Sequence, residues 1–171
     1  MASTSKIKYR TTNSDVITIT LASLAQDASL LAGRAGTAYD NTTDLDDDKL
    51  LSGSITTGAT STNGSIIEIW HYAARKVASG SPTYPDSITG TDAAKTMTSL
   101  EQKYAGLRLA YTITVNATAN RIYDIPPISV KSLYGGKLPK YGGAFVTHNT
   151  GGNLNATQDG LFYDGIQGQL V

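Results

Sequence analysis

Residues 65–77 read SIIEIWHYAARKV, and the fold turns on this stretch. In a β-strand, successive side chains alternate between the two faces. Ile67, Ile69, His71 and Ala73 then share one face, while Ile66, Glu68, Trp70 and Tyr72 share the other. Both faces carry large groups. The stretch therefore predicts a strand central to a sheet that is covered on both sides.

Working outward, the same two-residue period recurs. In DVITITLAS (15–23), Ile17, Ile19 and Leu21 oppose Val16, Thr18 and Thr20, which predicts a strand with one fully apolar face. KLLSGSITT (49–57) reads as another strand. GATSTNG (58–64) reads as a hairpin-type loop whose Asn63-Gly64 pair tolerates positive φ. In LRLAYTITVNAT (107–118), Leu107, Leu109, Tyr111, Ile113 and Val115 share a face opposite Arg108, Ala110, Thr112, Thr114 and Asn116.

RIYDIPPISVKSLYGG (121–136) predicts two short strands bent at Pro126-Pro127, since neither proline can donate to a ladder. GGAFVTHNT (142–150) is the next strand and GLFYDGIQGQLV (160–171) the last. Gly33 and Gly36 interrupt any helix before residue 40. Residues 78–106 form a long irregular excursion with Pro82 and Pro85, whose one helical candidate is a short turn near SLEQKYA. Loops of that length tend to be binding loops.

Composition agrees with this reading. Tyr is 10 and Gly 17, against only 2 Met and 2 Phe, and serine and threonine are abundant. Threonine and tyrosine suit a pleated surface, and glycine suits the turns. The expected fold is all-β, a jelly-roll-like antiparallel β-sandwich. At 171 residues, the chain is expected to hold an N-terminal arm over 1–14 and a single sandwich domain over 15–171. Lys+Arg and Asp+Glu balance at 14 each, so no global field draws in nucleic acid or an acidic membrane. With no cysteine, disulfides, thiolate metal sites and cysteine nucleophiles are excluded. MASTSKIKYRTTNSD has no apolar core of a signal peptide, and no run approaches the ~18 apolar residues of a membrane span.

Residues able to carry chemistry are sparse. His71 and His148 are the only histidines. Glu68, three residues before His71, falls on the opposite strand face, and His148 has no acid nearby. Both are expected to be structural, satisfied at a strand end or a subunit contact. The acidic run DNTTDLDDDKL (40–50) has neither the glycine nor the glutamate of a calcium-binding loop. It is expected to be a solvated turn, with no metal and no cofactor.

No GxSxG elbow occurs, and nothing pairs Glu68 with Glu101, the only glutamates. YGGKLPKYGGAF (134–145) lacks the spacing of a phosphate loop and reads as a turn exposing Lys137 and Lys140. No enzymatic activity is expected. Tyr84, between Pro82 and Pro85, is the tyrosine best placed for a loop binding surface, with Tyr104 and Tyr141 as companions.

Taken together, LLAGRAGTAYDNTTDLDDDKLLSGSITTGAT (30–60), IIEIWHYA (66–73), LRLAYTITV (107–115) and GGAFVTHNTGGNLN (142–155) resemble small structural proteins of tailed-bacteriophage virions. The likeness is greatest to capsid decoration, or cement, proteins and weakest across 78–106. It implies a jelly-roll-like subunit that binds the outer surface of the phage head and stabilises contacts between capsomers. Its partners would be the major capsid protein and itself, as a trimer or dimer, without nucleic acid or membrane. An arm carrying Lys6, Lys8 and Arg10 would reach the shell. Alternatives are a tail or head–tail structural protein, or a jelly-roll carbohydrate-binding adhesin using Tyr84, Tyr104 and Tyr141.

Overall fold

A computed structural model describes residues 5–10, 15–78 and 81–170. The fold is all-β and antiparallel. The first strands are β1 (Ser5–Tyr9), β2 (Asp15–Val16), β3 (Ala32–Ala35) and β4 (Tyr39–Asp40). Next come β5 (Asp48–Thr56), β6 (Ile66–Ala73) and the short pair β7 (Lys76–Ala78) and β8 (Ser81–Thr83). β9 (Ala93–Thr96), β10 (Leu107–Thr114), β11 (Ile122–Ser129), β12 (Tyr141–His148) and β13 (Gly160–Leu170) follow. The short α-helices are α1 (Asn41–Asp44), α2 (Leu100–Gly106) and α3 (Val130–Leu133).

Two sheets form the sandwich. The first runs β1-β13-β5-β11, with β2 also on β13; the second runs β10-β6-β12-β3-β9, with β4 also on β12. Between them lies a core of Leu51, Ile55, Ile125, Leu161 and Tyr163 from the first sheet against Ile67, Ile69, Ile113, Ala144 and Val146 from the second.

The second sheet is covered on its outer face as well. There Trp70, Tyr72, Phe145 and Leu107 pack with Tyr84, Ile88 and Met97. The last three residues belong to the long excursion, whose described part, 81–106, folds back as a lid on the sheet rather than standing out as a loop. β6 lies between β10 and β12 and is buried on both faces, as its alternation predicts.

Three strand expectations differ from the structure. In β10 a register shift between Leu109 and Tyr111 breaks the expected single face: Leu107 packs in the outer cluster, Ile113 and Val115 in the core between the sheets, and Leu109 is exposed. Of DVITITLAS only Asp15–Val16 joins a ladder, on β13. Ile17 and Leu21 are buried as expected, but Thr18 and Thr20 bond to loops: Thr18 O accepts from Thr37 N, and Thr20 N donates to Asp92. Apolar burial is satisfied there without strand pairing. At Pro126-Pro127 the chain does not break into two strands. β11 runs through with a register shift between Ile125 and Ile128, and as an edge strand it loses no ladder bond to the prolines. The predicted turn at Asn63-Gly64 is present, with Gly64 at φ 81°.

Candidate functional site

The described part of the N-terminal arm, residues 5–10, is not free. Ser5–Tyr9 pairs with the end of β13, Lys8 opposite Gln167 and Tyr9 opposite Ile166. β5 accompanies β13 only as far as the pair Asp48–Ile166. Beyond that point residues 167–170 pair with β1 alone, so the two segments extend from the sheet as a two-stranded ribbon.

Pairing parity decides which side chains the ribbon presents. Residues directly opposite in an antiparallel ladder share a face. Tyr163 points into the core, so Phe162 and Ile166 point outward, and Val16 and Tyr9, their partners, point outward with them. Ile7 follows two residues from Tyr9. Exposure bears this out: Ile7 is 80% exposed, Val16 68% and Tyr9 64%. A row of apolar groups thus runs along the bare outer face of the first sheet, on its N-terminal edge.

The ribbon is anchored at its base. Arg10 N donates to Gly165 O at 2.8 Å, and the Arg10 guanidinium pairs with Asp15 and Asp44, with Asp46 at 3.5 Å. Lys49, fully buried, donates to Asp46 at 2.7 Å and Asp44 at 3.2 Å. Asp40 caps α1 through Thr42 N, and the Asn41 amide brackets the Asp46 backbone from both sides. Asp48 accepts from Ser129 Oγ and Lys131 N.

The acidic run is therefore not a solvated turn. Asp46 is buried because the buried Lys49 and the inward-turned Arg10 need a carboxylate partner, and Asp48 is buried as the acceptor for Ser129 Oγ and the Lys131 amide. Of the three expected contact residues, Lys6 and Lys8 are exposed, whereas the Arg10 side chain is turned into this cluster and serves as the anchor.

The tyrosine expectation is also corrected. Tyr84 is 6% exposed and meets Tyr72 edge-on with ring centroids 5.3 Å apart. It is core because the segment after it folds back so that Gly90 lies against its ring. Tyr141 is half-buried on β12. Tyr104 alone is open, at 58%, resting edge-on to Trp70 at 5.4 Å. Tyr84 and Tyr141 pack in the same outer cluster, but with Tyr84 buried the three do not form an exposed platform.

Both histidines are buried in the fold. His148 Nε2 lies 3.0 Å from Leu24 O and Nδ1 3.0 Å from Thr150 Oγ1. Burial pushes its pKa down, opposed by the Leu24 carbonyl. His71 Nδ1 lies 2.9 Å from the Tyr134 hydroxyl, and its ring is surrounded by Tyr39, Tyr72, Tyr134 and Tyr163. Burial pushes its pKa down to about 3, so at neutral pH it is uncharged. His71 Nε2 and the hydroxyls of Tyr39 and Tyr163 lack protein hydrogen-bond partners.

Among the described residues, no group of three His, Asp or Glu has the geometry to hold a metal ion, and no helix is long and apolar enough to cross a membrane. Sequence reading missed Glu68. It is buried, accepting from Trp70 Nε1 at 2.9 Å and Lys103 Nζ at 2.6 Å. A carboxylate in the middle of an apolar strand was the available signal. Compared with protein-family models, curated proteins and solved structures, the chain matches none.

Proposed function

We propose that this chain is a structural subunit of a tailed-phage particle, a decoration protein that docks on the outside of the head through its β1–β13 ribbon and the adjoining apolar row. The observation that carries the reading is the ribbon itself. A two-stranded ladder is marginal on its own in water, and this one leaves Ile7 and Tyr9 bare to solvent. A partner that covers those groups and adds a strand to the open edge of β1 would satisfy both apolar surface and unpaired backbone. The likeness of residues 30–60, 66–73, 107–115 and 142–155 to phage structural proteins supports the choice of partner.

Lys6 and Lys8 lie on the opposite side of β1 from Ile7 and Tyr9 and supply charge at the rim of such a contact. Repetition on a symmetric shell makes modest contacts strong together.

The test is twofold. In purified particles this protein is expected at a copy number comparable to that of the shell protein; a handful of copies per particle moves it to the tail. Ile7→Asp with Tyr9→Asp, at exposed positions that leave the fold intact, is expected to abolish rebinding to stripped heads. Rebinding at wild-type affinity removes the ribbon from the mechanism.

A further inference from the structure

A cleft of about 370 Å³ lies where the end of β6, the end of α2 and the 134–139 turn meet. Arg75, Arg108 and Lys137 line it, together with Tyr134, Leu138 and Pro139, and no aspartate or glutamate does. In a chain whose charges balance, that segregation is unexpected. Among the described residues, ion pairs involve Arg10, Arg34, Lys49, Lys95, Lys103 and Lys131. None of the three cleft cations takes part.

Two of those cations are also held in place. An Arg75 guanidinium nitrogen donates to Tyr84 O at 3.3 Å, and one from Arg108 donates to Leu107 O at 2.9 Å. Each bond uses one edge of the guanidinium and leaves other N–H donors for a ligand. Arg108 is close enough to Tyr134 to oppose the upward pKa shift that burial imposes on that hydroxyl. The walls from Leu138 and Pro139 are apolar, which strengthens a charge-assisted contact made beside them.

We infer that this cleft binds an oxyanion, a phosphate or carboxylate group, between Arg75, Arg108 and Lys137. The guanidiniums supply directed N–H donors and Lys137 a point charge, a combination suited to planar or tetrahedral oxyanions. The site shares no residue with the ribbon, so it stands or falls independently of the docking reading.

The test is a ¹H–¹⁵N titration of the whole chain with inorganic phosphate, with chloride exchanged to hold ionic strength constant. Saturable shifts are expected at Gly106, Arg108 and Lys137, and Arg108→Gln is expected to weaken binding about tenfold. A parallel titration with acetate identifies the source. Saturation by both anions points to an acidic side chain of a partner, and saturation by phosphate alone points to a phosphorylated ligand. Shifts that never saturate, or that persist unchanged in the Arg75→Gln/Arg108→Gln double variant, mean charge screening only and overturn the site.

Discussion

Lys103 Nζ lies 2.6 Å from Glu68 Oε2 and the same distance from Leu30 O, with the ammonium 4.8 Å from the Trp70 ring centroid. This buried pair joins α2 to β6, an interior strand of the second sheet, and so fastens the lid formed by residues 81–106. Removing one partner of a buried pair strands the other charge, whereas replacing both can be neutral. Lys103→Met alone is expected to cost ~3–5 kcal/mol. Lys103→Met with Glu68→Gln, which keeps an acceptor for Trp70, should recover most of that loss in urea unfolding. Equal losses for the single and double variants would show that the pair does not hold the lid.

His71 makes the fold sensitive to acid at an unusually high pH. Its folded pKa of about 3 lies below its unfolded value of about 6.5. The unfolded chain therefore binds the proton first. The stability in question is fully present above pH 6.5 and lost as pH falls toward 3. His148, also lowered, acts in the same direction. Between pH 6.5 and 5, above the carboxylate range, unfolding curves should show falling stability, and His71→Gln should flatten that slope.

Asp92 governs a lower window. The bond from Arg34 Nε at 2.6 Å, together with Thr20, holds its carboxyl down at about 2. Its contribution is present above the unfolded carboxylate pKa and disappears as pH falls from there to about 2. Asp92→Asn should remove that part of the acid transition and, by unpairing Arg34, lower stability at neutral pH by ~1 kcal/mol.

Gly33 lets β3 lie close against the backbone of β12. A Cβ there would sit 2.1 Å from Val146 O and 2.9 Å from the Phe145 ring. Gly33→Ala is expected to push the strands apart at a cost of ~1–3 kcal/mol, read as a drop in thermal midpoint. An unchanged midpoint would mean that the ladder absorbs the methyl.

Arg10 separates anchoring from docking. Arg10→Met should speed hydrogen exchange at the amides of β1 while leaving β5, β6 and β12 protected, because it cuts the ribbon's ionic base and none of the core. Uniform protection across β1 would show that the ladder alone holds it.

What could be read from the chain follows from the kind of signal involved. β6 carries large groups at both alternating sets of positions, a pattern satisfied by an interior strand of a sheet covered on both faces. Tyr84, Ile88 and Met97 have no period. Their place over Trp70 and Tyr72 depends on tertiary contact that sequence spacing does not encode, which is why Tyr84 reads as a surface residue and is a core one. The acidic run misleads for a related reason. Asp44 and Asp46 sit beside Lys49 in the same run, but nothing in the spacing shows that Lys49 is buried, and Arg10, their other partner, is more than thirty residues away. His148 ends β12 with both ring nitrogens partnered, as its polar neighbours suggested, whereas His71 lies within β6 among tyrosines that its spacing does not announce.

The ribbon also has a mechanical character. Ser5 lies opposite Leu170, so tension drawing these two ends apart would open the ladder like a zipper, one pair at a time, instead of loading all its bonds in shear. Opening would proceed easily through Lys6, Ile7, Lys8 and Tyr9. It would then meet Arg10, whose several carboxylate partners must give way together. The Arg10 cluster is thus the rip-stop that keeps strain in the ribbon from running into the sandwich.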